Sequence, residues 1–281
     1  MQTTLELCPN PVFIIGAPRS ATTALAHALA KHSRLWTSSE SQILADLFTD
    51  KTLSKNYKRA EHGGGGSWLV DHGIERNEFL RFVGVGFNAL FTTVSEGLRW
   101  IDHTPNYTFL AFELAQMFPG ALFLHMLRDA RRVVHSMVNY RAEIVEKGEA
   151  RFLPVQPWSR DFAGACKAWA RYVTRAIDFS EAYPARCLTV INEELVAEPT
   201  AGFQRILAFL NETFEEAPVS YFVSKQIHSS FPNQTRDFLE DPSQSWSAHQ
   251  LELFHTETGD AMAAAQRARD AEWQRRTVEA A

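Results

Sequence analysis

Three cysteines, Cys8, Cys166 and Cys187, are all that the 281 residues contain. They are scattered and odd in number, so they suggest neither a disulfide framework nor a zinc site. Positive charge is not in excess. The formal net charge is -5, which argues against broad nucleic-acid binding and leaves room for a local basic pocket. No apolar run is long enough to cross a bilayer. The opening MQTTLELCPNP lacks a basic start and an apolar core, so no secretory signal is expected. No internal repeat is visible. These absences point to a cytoplasmic chain with no membrane and no nucleic-acid partner. They leave the oligomeric state open.

Hydrophobic residues make up 45% of the chain, enough for one α/β domain spanning residues 1–281. Four short runs read as strands buried on both faces: Val12–Ile15, Arg99–Asp102, Ala121–Leu127 and Cys187–Ile191. Helical patterns lie between them, at Thr22–His32, Glu40–Phe48, Asn77–Leu98, Tyr107–Phe118, Arg131–Glu146, Phe162–Tyr183 and Thr200–Asn211. A C-terminal helical region over 247–281 centres on Ala248–Arg275. Strands alternating with helices imply a central parallel sheet flanked by helices. HGGGGS at 62–67 and the proline-containing stretch 146–161 read as flexible loops.

The segment PVFIIGAPRSATTALAHALAKH, residues 11–32, is a strand, a tight loop and a helix start. Such a loop presents unpaired N–H groups and the positive end of a helix dipole to an anion. Ser20, Ala21, Thr22 and Thr23 supply the N–H groups, and Arg19 supplies a fixed charge. An ordinary capped strand-to-helix turn is the plainer alternative. The Walker lysine is missing, as is a clear second-strand Asp for magnesium, so ATP hydrolysis loses its two main parts. The stretch ALFLHMLRDARRVVHSMVNY, 121–140, repeats the design, with Arg128 at a strand end and Ser136 two helical turns on. A salt bridge from Arg128 to Asp129, or a helix-terminus contact, is the plainer alternative. If the two strands are neighbours, Arg19 and Arg128 converge on one crevice beyond the carboxyl ends of the sheet. Two anion sites there would suit a nucleotide phosphorylated at both ends.

In this order and spacing the residues resemble the sulfotransferases that use 3′-phosphoadenosine 5′-phosphosulfate (PAPS), nearer the Golgi-type and bacterial branch. The matching motifs are APRSATT at 17–23, Arg128 with Ser136, DHTPNY at 102–107 and NEEL at 192–195, with a loose match over 229–246. The resemblance implies a P-loop-like sulfotransferase fold and in-line transfer of a sulfuryl group from PAPS to a hydroxyl or amine, leaving 3′-phosphoadenosine 5′-phosphate. It places Arg19, Ser20, Ala21, Thr22 and Thr23 around the 5′-phosphosulfate, and Arg128 and Ser136 on the 3′-phosphate. Arg19 also takes the charge developing on the leaving phosphate. Glu40 occupies the position of the general base, and His103, in place of a usual Lys, is a second candidate. No metal is implied.

Four positions depart from the family pattern. Ala21 replaces a Gly, which calls for φ < 0 there; Asn192 replaces a Tyr. Gln42 stands where relatives acting on polyketide chains carry a catalytic His, and Ser245 stands where a basic residue usually precedes Trp246, with Arg236 as a substitute. Phe79, Phe82, Phe87, Phe91 and Trp100 read as core. Phe152, Trp158 and Phe162 suggest an apolar or aromatic small-molecule acceptor. A catalytically silent nucleotide-binding relative and, further off, a P-loop nucleotide kinase are the other readings.

Overall fold

The computed structural model describes residues 6–48, 68–146, 148, 158, 160–224 and 241–279. The loop 62–67, Phe152 and Arg236 lie outside the described residues, as does most of 146–161. The first half runs β1 (Val12–Gly16), α1 (Thr22–Leu29), β2 (Leu35–Thr37), α2 (Ile43–Leu47), α3 (Trp68–Asp71), α4 (Arg76–Val94) and β3 (Arg99–Asp102). A 3-10 turn at Pro105–Leu110 leads into α5 (Ala111–Met117) and β4 (Leu122–Leu127). The second half comprises α6 (Ala130–Glu146), α7 (Phe162–Ala182), β5 (Cys187–Ile191), α8 (Asn192–Ala197), α9 (Pro199–Phe209), α10 (Glu216–Ser224) and α11 (Ala248–Glu279).

The five strands form one sheet in the order β2-β3-β1-β4-β5, and every pair is parallel. Alternate residues of each strand face opposite layers. Phe13, Ile15, Phe123 and Cys187 pack toward α4, α5 and α7. Val12, Ile14, Leu124, Met126, Leu188 and Val190 pack toward α1, α9 and α10. This is why the strands read as continuous apolar runs rather than alternating ones. Phe13 anchors an aromatic cluster, with Trp100, Phe118 and Phe123 rings centred 5.3–5.5 Å away. Long α11 lies along α7, and Phe254, Ala261 and Ala265 join Trp169 and Val173 in a third cluster. β1 sits where the chain, having built β2 and β3 on one side, crosses to build β4 and β5 on the other, which is where open α/β sheets bind ligands.

The structure departs from the sequence expectation at several elements. A fifth strand, β2, is only three residues long, too short to leave a periodicity. The segment 107–118 is not one helix. It winds as a 3-10 turn to Leu110 and as an α-helix from Ala111, and the tighter turn buries Tyr107, Thr108 and Leu110. α10 was hidden by its β-branched and aromatic residues, which are weak helix formers. Its Pro218 is tolerated because it lies in the first turn. Phe82 is 63% exposed rather than core, whereas Trp100 is buried as expected. Among the described residues no helix is long and apolar enough to cross a membrane.

Candidate active site

β1 ends at Gly16, whose φ of 144° is a glycine conformation. A Cβ there would stand 2.5 Å from the Met126 carbonyl of β4, so only glycine fits. Thr108 brackets this residue: its hydroxyl accepts from the Gly16 N–H at 2.9 Å and donates to the Gly16 carbonyl at 3.1 Å. The loop then turns through two further left-handed residues, Arg19 at φ 69° and Ala21 at φ 72°. The expected φ < 0 at Ala21 is therefore wrong. The turn keeps the backbone path of a glycine, and the alanine bears a strain of about 1–2 kcal/mol. One fully buried side chain such as Phe13 contributes about 1.5–3 kcal/mol, so the surrounding core can hold that strain.

No side chain caps α1, whose N-cap position is Ala21. Its first N–H groups are left for an anion. Ser20 and Thr22 are buried in the loop floor, and Thr23 is exposed.

The two basic turns meet, as expected from neighbouring strands. Arg128 follows β4 directly and donates through Nη1 to the Arg19 carbonyl at 2.8 Å. Its Nε is buried and has no hydrogen-bond partner among the described residues. Burial pulls the Arg128 pKa down, Glu193 opposes that, and an arginine stays charged nonetheless. The suggested salt bridge to Asp129 is not formed. Asp129 instead caps α6, accepting from the Arg131 and Arg132 N–H groups, and pairs with the Arg131 guanidinium. The Asp129 N–H donates to Glu193 Oε1 at 2.9 Å, and Arg269 of α11 holds Glu193 Oε2 at 3.0 Å. Ser136 Oγ accepts from Arg19 Nε at 3.1 Å, and the Arg19 guanidinium lies 5.0 Å over the Tyr140 ring. Tyr140 was missed in the sequence, although i, i+4 spacing puts it on the Ser136 face of α6.

Glu40 does not start a helix. Gln42 intervenes with φ 55°, and α2 begins at Ile43. The helix expected over Glu40–Phe48 is thus shorter, and Glu40 precedes it. Gln42 Nε2 donates to Glu40 Oε2 at 3.1 Å. Much of the Glu40 side chain is open to solvent, while neighbouring atoms crowd its carboxyl. That crowding raises its pKa, the Gln42 bond lowers it, Asp102 raises it and Arg19 lowers it. Solvent contact limits the size of the rise.

The DHTPNY segment braces the same corner. Buried Asp102 accepts from the Ser41 hydroxyl at 2.6 Å and from the Thr104 N–H at 2.9 Å. Ser41 has spent its only proton, so the Tyr107 hydroxyl donates to Ser41 Oγ at 2.7 Å and accepts from the Leu44 N–H. His103 is 1% exposed and shares no hydrogen bond with Glu40 among the described residues. Thr37 donates to the Ile101 carbonyl, so His103 Nδ1–H must donate to Thr37 Oγ1, 3.3 Å away. Burial, then the nearby His27, pushes the His103 pKa down to about 4. It is neutral near pH 7, unlike the lysine it replaces.

Of the aromatic side chains expected at an acceptor pocket, Trp158 is buried and Phe162 is half-buried against the third cluster. Trp158 packs on Tyr140, with centroids 5.2 Å apart, and Phe162 on Trp246 at 4.9 Å. No group of three or more metal-ligating side chains occurs among the described residues.

A glycine-ended strand, an uncapped helix start and a second arginine beyond the neighbouring strand meet at one corner of a parallel α/β sheet. The chain belongs to the sulfotransferase family, whose model matches residues 11–216. It is similar to protein-tyrosine sulfotransferase A of Caenorhabditis elegans, 24% identical over 238 residues that cover 82% of this chain and 58% of that protein. It is also similar to protein-tyrosine sulfotransferase 1 of Danio rerio, 24% identical across 73% of this chain and 54% of that one. The chain thus spans a little over half the length of these two relatives. In fold it is similar to the sulfotransferase domain of the Synechococcus PCC 7002 olefin synthase. That match has a TM-score of 0.56 at 20% identity and covers 95% of this chain and 98% of the other.

Proposed function

We propose that this chain is one sulfotransferase domain that moves a sulfuryl group from PAPS to an acceptor hydroxyl. The observation that carries the reading is the junction of two anion-ready turns: the uncapped α1 start beside Arg19, and Arg128 with its unpartnered buried Nε. That donor set fits a nucleotide with phosphate at both 5′ and 3′ positions. Ser20, Ala21, Thr22, Thr23 and Arg19 would hold the 5′ end, and Arg128 and Ser136 the 3′ end. Arg19 would also stabilise the charge that develops as the sulfuryl group leaves. Positioning and electrostatics then do most of the catalysis, as in phosphoryl transfer.

We assign the general base to Glu40 rather than His103. Glu40 is exposed and can meet an acceptor hydroxyl, whereas His103 is enclosed. The acceptor we propose is a tyrosine hydroxyl in a polypeptide. The names of the relatives support it. The three buried free thiols suit a reducing, cytoplasmic setting.

The acceptor assignment is tested by offering labelled PAPS with a tyrosine-containing peptide and with a panel of small phenols and alcohols. Transfer to the peptide at higher kcat/KM supports it; transfer to small alcohols alone overturns it.

A further inference from the structure

Four side chains from three separated stretches form one file of hydrogen bonds that ends on Glu40. The Tyr172 hydroxyl, on α7, donates to Asn106 Oδ1. Asn106 Nδ2 donates to Gln42 Oε1 at 3.3 Å. Gln42 Nε2 donates to Glu40 Oε2 at 3.1 Å. Every bond points the same way. The carboxylate end fixes that direction. Burial raises the Tyr172 pKa, so its hydroxyl keeps its proton, and the Asn106 carbonyl oxygen that it faces can only accept. An ionised carboxylate can only accept. The two amides between them have one orientation that satisfies both neighbours.

We propose that Tyr172, Asn106 and Gln42 are positioning residues for Glu40, a relay of donors that orients its carboxylate and favours the ionised, proton-accepting form. The inference rests on the reading of Glu40 as general base. Bonds in such a file polarise one another, so the carboxylate gains from the whole chain and not from Gln42 alone. The backbone serves the same end. The Gln42 N–H lies 3.4 Å from Thr104 Oγ1, and its backbone is left-handed, with φ 55°. The other charged groups acting here come from separate elements: Asp102 of β3 works against Glu40 ionisation, Arg19 of the loop works for it, and Arg171 of α7 acts on Tyr172.

The test is a carbon-13 NMR titration of the full chain labelled at glutamate carboxyls, with Glu40 identified by the resonance lost in Glu40→Gln. Gln42→Met keeps size and removes the donor; Tyr172→Phe removes only the far hydroxyl. The Glu40 midpoint is expected to rise by about one pH unit in Gln42→Met, and by a smaller step in Tyr172→Phe. Unchanged midpoints in both overturn the relay. A rise in Gln42→Met alone also overturns it, because Gln42 would then act by itself. The general-base reading is scored apart: raised midpoints in both variants with full transfer by Glu40→Gln keep the relay and remove the base.

Discussion

The Arg128 guanidinium donates to the backbone carbonyl of Arg19 across 2.8 Å, joining two basic turns that lie 109 residues apart in sequence. One turn follows β1 and the other follows β4, which are paired from Val12↔Leu122 to Gly16↔Met126. A shift at either turn is therefore felt at the other.

Arg128→Ala is expected to weaken binding of 3′-phosphoadenosine 5′-phosphate by about 10- to 100-fold, the range for losing a charge-assisted contact. Adenosine 5′-monophosphate, which lacks the 3′-phosphate, is expected to lose only a few-fold, through the lost bond to the Arg19 carbonyl. Calorimetric titration of both ligands checks the pair.

Arg269→Ala acts on the same site at one remove. It releases Glu193, which holds the Asp129 N–H beside Arg128. The Arg269–Glu193 pair is partly exposed, so the expected loss for the bisphosphate is only a few-fold. The monophosphate again serves as the control, and equal losses for both would show general damage instead.

Ala21→Gly relieves a left-handed alanine, while glycine gives up some unfolded-state entropy. The net expectation is a gain of about 0.5–1 kcal/mol, read as a higher urea midpoint at unchanged slope. Ala21→Val is expected to lose stability, because a β-branched residue is disfavoured at positive φ.

His125, in β4, is fully enclosed, and neither ring nitrogen has a hydrogen-bond partner among the described residues. Burial pushes its pKa down to about 4, as it does for His103. The folded state thus keeps both rings neutral while the unfolded chain takes up protons below pH 6.5. Stability is expected to fall as pH drops from about 6.5 to 4, by roughly 1.4 kcal/mol per pH unit for each histidine. His125→Leu should remove roughly 1.4 kcal/mol per pH unit from that slope in urea melts between pH 6.5 and 4.5.

The sheet and the two basic turns were legible because their signals are local. β-branched runs mark doubly buried strands, and Gly16, Arg19, Arg128 and Ser136 stand at fixed offsets from them. The relay on Glu40 was not legible. Gln42, Asn106 and Tyr172 are brought together by tertiary packing, and no spacing along the chain encodes it. Gln42 drew notice only as a departure from a family pattern, not as a donor. His103 was legible as a substitution for lysine, but its neutrality depends on burial that only the fold shows. The backbone at Ala21 misled because a methyl usually forbids φ > 0, and here the surrounding turn overrides that preference.

The most direct measurement is sulfuryl transfer from radiolabelled PAPS to a tyrosine-containing peptide by the intact chain, beside Arg19→Ala and Glu40→Gln. Glu40→Gln is expected to lower kcat at least 100-fold, the lower end for a general base. Arg19→Ala is expected to cost a similar factor, since it removes charge stabilisation at the leaving phosphate. Both variants should keep the melting temperature of the parent. Transfer at the parent rate in both would contradict the account.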